Sequence, residues 1–402
     1  MFSETVEAEG HLIDSGNFQS ILTTVVEHGS EYEILRFDVG RKNEEGSRLT
    51  LKLTAATPAL LEDLIAKLSV FGCYVKGTPE VTLRRADMDG AAPEDFYSTT
   101  NHRTSIFLNG RWVIAEAQRM DATLVVDGDR VSCRKLRDVR KGELVVCGMQ
   151  GIRVSPDVQS RDKPTFGFMS NEVSSERRVE TAVARVAEMM RHTRTHGGRI
   201  AFVAGPVVVH TGGSEYFCDL IRRGYVDVLL SGNALAVLDA EVALSGTSLG
   251  IDLGSGHPAE HGHRNHMRAI NVIRRAGGLE KAVASGVLRS GIMHACHTHA
   301  VHYILAGSIR DDGPLPETMM DLSAAQDEYG KALAGVDMVV MLSSMLHSIG
   351  VGNMLPSWVK VICVDINPAV VTKLSDRGSA QTVGVVTDVG LFLHQLAERL
   401  KD

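Results

Sequence analysis

The sequence predicts an α/β protein in which a doubly wound parallel sheet follows a small ferredoxin-like α+β module and a small β subdomain. Three observations predict it. From about Ser174 onward, apolar runs without period two alternate with helical stretches, as expected for strands that are buried on both faces. The opening residues alternate between strand-like and helix-like periods, and short β runs with turn signals lie between the two regions.

Residues 1–103 are predicted to form the ferredoxin-like module. Its helix begins at Thr57-Pro58, where a capping residue precedes a proline at the first helical position, and ends at Gly72. The strands predicted in this region are Ser30 to Val39, Ser47 to Leu53, Cys73 to Val75 and Glu80 to Arg84.

Residues 104–163 are predicted to form the β subdomain and a polar linker, and residues 164–402 the α/β domain. Asn109-Gly110 and Asp127-Gly128 are dipeptides typical of two-residue hairpin turns. The strands predicted in the α/β domain are Arg199 to Ala204, Val226 to Leu230, Val301 to Ala306, Asp337 to Leu342, Val359 to Val364 and Thr382 to Val386.

Composition and charge exclude several classes of protein. The 402 residues include 42 Lys and Arg against 49 Asp and Glu, for a net charge of −7, and there is no long basic run; a nucleic-acid partner is therefore not expected. The apolar stretches are shorter than the ~20 residues that a membrane helix needs, and the N-terminus lacks the apolar core of a secretory signal. We expect a cytoplasmic protein whose partners are small molecules and further copies of itself.

The cysteines and histidines do not predict a metal site. Six cysteines occur without any CxxC spacing, so neither a disulfide framework nor a zinc ribbon is indicated. Eight of the 16 histidines lie between His257 and His302, but the second group, His294 to His302, contains no i,i+4 pair. We interpret the histidines as a polar wall that supplies acids and bases; the alternative is that single members only satisfy buried carbonyls or face solvent.

Ligands of a doubly wound sheet bind beyond the carboxyl ends of its strands. Asp365 follows one predicted strand, where a carboxylate can accept both hydroxyls of a nucleotide ribose; the alternative is a cap for the helix after Pro368. No GxGxxG fingerprint is present. The turn Thr211 to Ser214 precedes a helix, so it is either an anion-binding turn or a plain glycine turn. Further polar turns at strand ends are Ser231 to Ala234, Asp311-Asp312, Ser343 to Ser348 and Thr387 to Gly390.

Six blocks of sequence resemble the archaeal-type ornithine cyclodeaminases, which also form the C-terminal unit of bifunctional arginine dihydrolase/ornithine cyclodeaminases. The blocks are GPVVVHTGGSEYF, LLSGNALAV, GHRNHMRAIN, AGSIRDDGPLP, SSMLHSIGVGN and VDINPAVVTKL. The opening module resembles the conserved domain named for lysine-oxoglutarate reductase/saccharopine dehydrogenase. The resemblance implies a deoxyhypusine-synthase-like NAD-binding fold, tightly held NAD, and conversion of L-ornithine to L-proline and ammonia. Arginine dihydrolase activity is not expected, because the sequence starts at the shared module.

The resemblance also implies a set of residues that contact NAD. They are Asn233, Ala234, Asp312, Ser344, Met345, Leu346, His347, Asp365, Asp388 and Val389. Our candidates for acid/base chemistry are Asp252, His263, His294 and His297, with Arg264 or the Thr211 to Ser214 turn as the group that binds the substrate carboxylate. Two alternatives remain open: an NAD-dependent dehydrogenase of a saccharopine-like or lysine-derived amino acid, and an NAD-binding regulatory protein.

Overall fold

The computed structural model describes residues 1–13, 15–40, 45–69, 71–77, 80–155, 179–259, 262–311, 313–375 and 382–401. The chain divides into two units, one of Met1–Gly167 with Asn353–Trp358 and the other of Phe168–Gly352 with Val359–Asp402. The predicted linker after Ser155 lies outside the described residues. Within the described stretches, no helix is both long and apolar enough to cross a membrane.

In its described residues, the opening module contains four strands and two helices in the order βαββαβ. Its elements are β1 (Phe2–Gly10), α1 (Asn17–Glu27), β2 (Glu31–Asp38), β3 (Ser47–Ala55), α2 (Pro58–Ser69) and β4 (Cys73–Val75). The strands form an antiparallel sheet in the order β2-β3-β1-β4, which matches the predicted ferredoxin-like arrangement. The central strand β1 escaped prediction because it is rich in acidic residues and only Val6 and Ala8 are buried in it.

The middle of the chain forms two small antiparallel sheets, as predicted. Their strands are β5 (Thr82–Arg85), β6 (Arg103–Leu108), β7 (Arg111–Ile114), β8 (Thr123–Asp127), β9 (Arg130–Arg134), β10 (Leu144–Cys147) and β11 (Ile152–Ser155). Asn109 and Gly110 both have positive φ between β6 and β7, so they form the predicted tight hairpin turn. Strand β5 pairs with β10, so the strand predicted at Glu80 to Arg84 belongs to these sheets and not to the opening module.

The second unit is built on a parallel sheet with helices between its strands. Its strands are β12 (Ile200–Ala204), β13 (Val228–Gly232), β14 (Thr247–Ser248), β15 (Ile251–Asp252), β16 (His302–Ala306), β17 (Thr318–Met319), β18 (Met338–Leu342), β19 (Lys360–Asp365) and β20 (Thr382–Val386). Its helices are α3 (Val179–Thr195), α4 (Val207–His210), α5 (Ser214–Arg222), α6 (Asn233–Ser245), α7 (Asn265–Ala276), α8 (Leu279–Ala284), α9 (Ile292–Thr298), α10 (Leu322–Ala332), α11 (Met345–Met354), α12 (Pro368–Ser375) and α13 (Val389–Arg399).

Within the part of the chain that the structure describes, seven strands form the parallel sheet in the order β17-β16-β13-β12-β18-β19-β20. All six predicted strands are among them, and the prediction of a doubly wound sheet is confirmed. The chain runs from β12 to one side through β13, β16 and β17, and then returns to continue from β18 on the other side. The crevice between the carboxyl ends of β12 and β18 is therefore the topological switch point, where such sheets bind ligands.

Glycine is required where β12 and β18 end. The Gly205 N–H donates to Leu342 O at 2.9 Å, and a Cβ atom on Gly205 would lie 2.1 Å from the carbonyl oxygen of Ser343. Ser343 itself has φ +44°, a left-handed conformation that is uncommon outside glycine. The two strand ends are thus packed backbone to backbone, with no space for a side chain on Gly205.

Helix α6 carries a buried carboxylate that fixes the start of α9. Asp239 is 1% exposed, and its two oxygens accept the N–H groups of Ile292 and Met293 at 2.7 and 2.8 Å. Burial raises the pKa of Asp239 to about 6, although these two hydrogen bonds oppose the rise. The position of α9 relative to α6 therefore depends on this side chain.

We expect Gly205→Ala to lower the free energy of unfolding by roughly 1–3 kcal/mol or more, because the added methyl group meets backbone that must shift. Gly330→Ala is the matched control. Gly330 lies inside α10 and a Cβ atom there would contact nothing within 4 Å, so this change should stabilise by roughly 0.5–1 kcal/mol. Denaturant unfolding measures both; equal effects of the two substitutions would contradict the close approach.

We expect Asp239→Asn to change how stability depends on pH. An acid whose pKa is raised by folding binds its proton more tightly in the folded chain, so wild type should lose stability as pH rises from the ordinary 3.8 to about 6. Relative to the Asn variant, that loss should reach up to about 3 kcal/mol. Unfolding at several pH values measures the difference, and a difference that stays constant across this range would be the contrary result.

Candidate functional site

The switch-point crevice brings together residues from the ends of β13 and β18. Ser344 Oγ lies 2.9 Å from His347 Nδ1, and a Cβ atom on Gly232 would lie 3.0 Å from His347 Cε1. Burial lowers the pKa of His347, and the Asp311 carboxylate opposes this only in part. A neutral imidazole thus packs against a glycine at the carboxyl end of β13.

Hydrogen bonds to backbone carbonyls and amides hold the strand ends around this crevice. The Ser231 hydroxyl donates to Ala204 O at 2.6 Å, and the buried Tyr329 hydroxyl donates to Ser231 O at 2.6 Å. Asn233 Oδ1 accepts the Leu315 N–H at 3.0 Å and the hydroxyl of Thr318 in β17 at 2.9 Å. The Asn233 side chain therefore joins the start of α6 to the segment between β16 and β17.

Four other residues that the resemblance implies lie at or next to the strand ends: Ala234, Ser344, Met345 and Leu346. Ala234 is exposed in the first turn of α6. Ser344 is 9% exposed, while Met345 and Leu346 are 43% and 78% exposed at the start of α11. Asp312 lies outside the described residues.

Two carboxylates lie at the ends of β19 and β20 and make different hydrogen bonds: Asp365 is the last residue of β19, and Asp388 lies two residues after β20. One Asp365 oxygen accepts the Asn367 N–H at 2.8 Å, and Asn367 in turn accepts the Ala369 N–H at 3.0 Å. Asn367, and not Asp365, is thus the cap of α12. Asp388 caps α13 by accepting the Leu391 N–H at 2.9 Å, and Val389 is buried in the first turn of that helix.

No contact between described residues places the acid/base candidates from the sequence in this crevice. Asp252 accepts the Ser255 N–H and hydroxyl at 2.7 and 2.8 Å, and these bonds lower its pKa. Arg264 is exposed directly before α7. His263 belongs to a short 3₁₀ helix, Gly262–Arg264, but its side chain lies outside the described residues. The roles assigned to these residues stay predictions.

His294 and His297 both lie on α9. His294 lines a pocket of about 180 Å³ together with Arg222 and Arg289, and Arg222 is the last residue of α5. His297 is half-buried one turn further along. Because α5 leads back to the amino edge of the sheet before β13, this pocket is not part of the strand-end crevice.

In the Thr211 to Ser214 turn, the Thr211 hydroxyl donates to Val207 O at 2.9 Å. Ser214 Oγ is buried and has no hydrogen-bond partner among the described residues. A Cβ atom on Gly390 would lie 2.5 Å from Thr211 O, so the start of α13 packs closely against the turn. The turn keeps a polar atom available at the start of α5.

A second polar cluster, which was not predicted from the sequence, surrounds Glu241 on α6. Glu241 is fully buried, and its carboxylate accepts the Thr247 hydroxyl at 2.8 Å and the N–H groups of Gly250 and Leu249 at 2.9 and 3.1 Å. Burial alone would raise the pKa of Glu241, but His266 and these donors lower it by more, so the pKa lies below its usual value. Glu241 is therefore ionised at neutral pH.

Two histidines complete the cluster. His266 Nδ1 lies 3.5 Å from Glu241 Oε2, and His210 Nδ1 lies 2.7 Å from Ser248 Oγ. Asn265 Nδ2 donates to Thr247 Oγ1 at 3.0 Å. One sequence signal points to the cluster: two acidic residues occur within NALAVLDAEVALS, which is otherwise almost wholly apolar.

Models of known families match nearly the whole chain in three consecutive parts. Residues 184–396 match "Arginine dihydrolase ArgZ-like, C-terminal, Rossmann fold", and residues 103–183 match the first region of the same C-terminal part. Residues 3–102 match the "LOR/SDH bifunctional enzyme conserved region". The first of these models covers more than half of the chain.

Curated relatives fall into two lengths. The chain is 47% identical to the ornithine cyclodeaminase of Methanothermobacter thermautotrophicus over 100% of this chain and 98% of that protein. It is also 47% identical to the bifunctional arginine dihydrolase/ornithine cyclodeaminase AgrE of Nostoc sp., over 99% of this chain. The chain spans 58% of the length of AgrE.

Solved structures show the same relationships. ArgZ, described as an arginine dihydrolase from cyanobacteria, matches with a TM-score of 0.86 and 42% identity over 100% of this chain and 58% of its own. The ternary complex of AgrE with ornithine and NAD⁺ matches with a TM-score of 0.55 and 46% identity over 99% of this chain and 57% of its own. The sequence resemblance is confirmed: the chain belongs to the ArgZ-like C-terminal family, which includes the archaeal ornithine cyclodeaminases.

Proposed function

We propose that this protein is an NAD-dependent ornithine cyclodeaminase, which converts L-ornithine to L-proline and ammonia. The observation that carries the proposal is the 47% identity to an ornithine cyclodeaminase over essentially the full length of both chains. The relative AgrE has been crystallised with ornithine and NAD⁺ together. The switch-point crevice of this chain also supports the proposal, because it lies where doubly wound sheets bind nucleotides.

The residues around the crevice fit a dinucleotide. Gly205 and Gly232 allow the strand ends beside the crevice to pack closely, and Asp365 supplies a half-buried carboxylate at the end of β19, suited to ribose hydroxyls. The cofactor-binding residues we propose are Asn233, Ala234, Asp312, Ser344, Met345, Leu346, His347, Asp365, Asp388 and Val389. Bound there, NAD⁺ would supply reversible hydride transfer at Cα of ornithine, with no net redox change over the cycle.

The protein's own groups must bind the substrate, move protons and exclude water. The ornithine carboxylate needs a cationic or N–H partner, for which we propose Arg264 or the turn Thr211 to Ser214, where Ser214 Oγ is buried with no partner within the described chain. Asp252, His263, His294 and His297 remain proposed acid/base residues. Water must be kept out, because an exposed imine would hydrolyse to a keto acid.

Compartment, assembly and pathway form a finer part of the proposal: a cytoplasmic homo-oligomer that forms proline from ornithine. The six cysteines are all free and buried, which suits a reducing compartment. Tyr32, Ile34 and Leu35 are 38–50% exposed on the edge strand β2, which supports contact with another copy. Light scattering of the purified protein gives the mass of the assembly, and a monomer would contradict the oligomer.

Turnover of L-ornithine tests the proposed function. We expect the purified protein to release NAD when it is denatured, and the native protein to form proline and ammonia in equal amounts without an increase in absorbance at the NADH band. NADH that accumulates together with a keto acid would instead identify an amino-acid dehydrogenase. Bound NAD with no product from any diamino acid would favour a regulatory protein.

His347→Ala tests the cofactor site. The substitution removes the imidazole that contacts Ser344 and packs at Gly232, and the loss of one or two buried polar contacts should weaken NAD binding by roughly 10- to 100-fold. His302→Ala is the control, because His302 is exposed at the start of β16, on the amino edge of the sheet. NAD content per chain after purification is the measurement; equal content in both variants would remove His347 from the site.

A further inference from the structure

Glu241 and His266 have the geometry of a carboxylate–histidine dyad. His266 Nδ1 is buried and has no hydrogen-bond partner among the described residues, but it lies 3.5 Å from Glu241 Oε2. The Glu241 side chain is 0% exposed, whereas the His266 side chain is 33% exposed. Because Nδ1 is buried, the exposed part of His266 is the remainder of the side chain. A buried carboxylate behind one ring nitrogen, with the ring partly exposed, orients a histidine as a proton carrier.

The carboxylate is held in place before any substrate binds. Three donors, from Thr247, Leu249 and Gly250, fix both of its oxygens, and Asn265 in turn fixes Thr247. These three bonds hold the turn after α6, and they already satisfy the oxygens of Glu241 without a histidine. None of these three donors comes from His266, so its position beside the carboxylate needs a separate explanation.

Hydrogen bonds connect the dyad to the helix that follows the carboxyl end of β12. Helix α4 follows directly from the carboxyl end of β12, and its last residue, His210, contacts Ser248 at 2.7 Å. Ser248 is adjacent to Thr247, which bonds Glu241. Among the described residues, the titratable groups that face Glu241 are His266 from α7 and His210 from α4, and burial lowers the pKa of His210. The cluster is thus connected through α4 to the switch point.

We propose that His266 is a catalytic proton carrier of the cyclodeamination and that Glu241 is its positioning residue. This rests on the proposed function. Neutral His266 takes one proton from the α-ammonium group of ornithine, and loss of the Cα hydride from the free amine then gives an iminium group. The δ-nitrogen, which has released its own ammonium proton to solvent, adds to the iminium carbon. His266 gives its proton to the α-nitrogen and takes the extra proton from the new ring nitrogen, so that the Cα–N bond breaks and ammonia departs. The hydride returns to the ring carbon, His266 gives its proton to the ring nitrogen of proline, and the histidine ends neutral, as it began.

The test compares His266→Ala, Glu241→Gln and the control His302→Ala, each purified with its NAD. We expect His266→Ala to lower kcat for L-ornithine by roughly 10²- to 10⁴-fold and added imidazole to restore part of the rate. Glu241→Gln should lower kcat at least about tenfold while KM changes little, because the orientation of the proton carrier is lost and substrate binding is not. His302→Ala should match wild type.

Bound NAD and the thermal midpoint separate chemistry from folding in these variants. His266→Ala should keep the NAD content and the thermal midpoint of wild type, because His266 is partly exposed. This variant therefore tests the dyad even if Glu241→Gln fails to fold. Wild-type kcat in His266→Ala would overturn the dyad and leave the proposed function intact. A rate loss that imidazole does not restore would overturn the role of proton carrier, and a wild-type protein that forms no proline would overturn both proposals.

Discussion

The close approach of β12 and β18 is the constraint on which the rest of the ligand-binding edge depends. Gly205 bonds to Leu342 O, and the space for a Cβ atom is already filled by Ser343 O. With these two strands adjacent, the chain must continue outward in opposite directions, and a crevice opens above them. The bonds of Ser231 and Tyr329 hold the neighbouring strand ends around it. The strand-end residues that we propose to bind the cofactor lie at the edge of the sheet that contains this junction.

Helix α6 adds a second set of fixed points through two carboxylates placed two residues apart. In an α-helix, residues i and i+2 point in directions about 200° apart, so Asp239 and Glu241 serve different parts of the fold. Asp239 holds the start of α9, while Glu241 holds the turn after α6 and faces His266. Burial raises the pKa of the first, and hydrogen bonds keep the pKa of the second low. One helix thus combines an acid whose pKa is raised with an acid whose pKa is lowered.

Much of the fold follows from the sequence, because strands buried on both faces are continuous apolar runs and their end turns are polar. The same reasoning fails for Phe2–Gly10, whose acidic composition hides a central strand, and for Glu80 to Arg84, whose partner strand lies far along the chain. The residues at the strand ends could be predicted from the sequence, because the topology of a parallel sheet places all of its carboxyl ends at one edge. The pairing of Glu241 with His266 was not, since only the path of α6 and α7 brings these residues together.

A label on the substrate tests the central claim, that hydride leaves and returns within one bound cofactor. L-ornithine carrying deuterium at Cα is incubated with the protein, and the proline formed is analysed by mass and by NMR. We expect proline that keeps the deuterium at its α carbon, because the hydride is stored on NAD and not exchanged with water. Proline that has lost the label to solvent, or label recovered in released NADH, would contradict it.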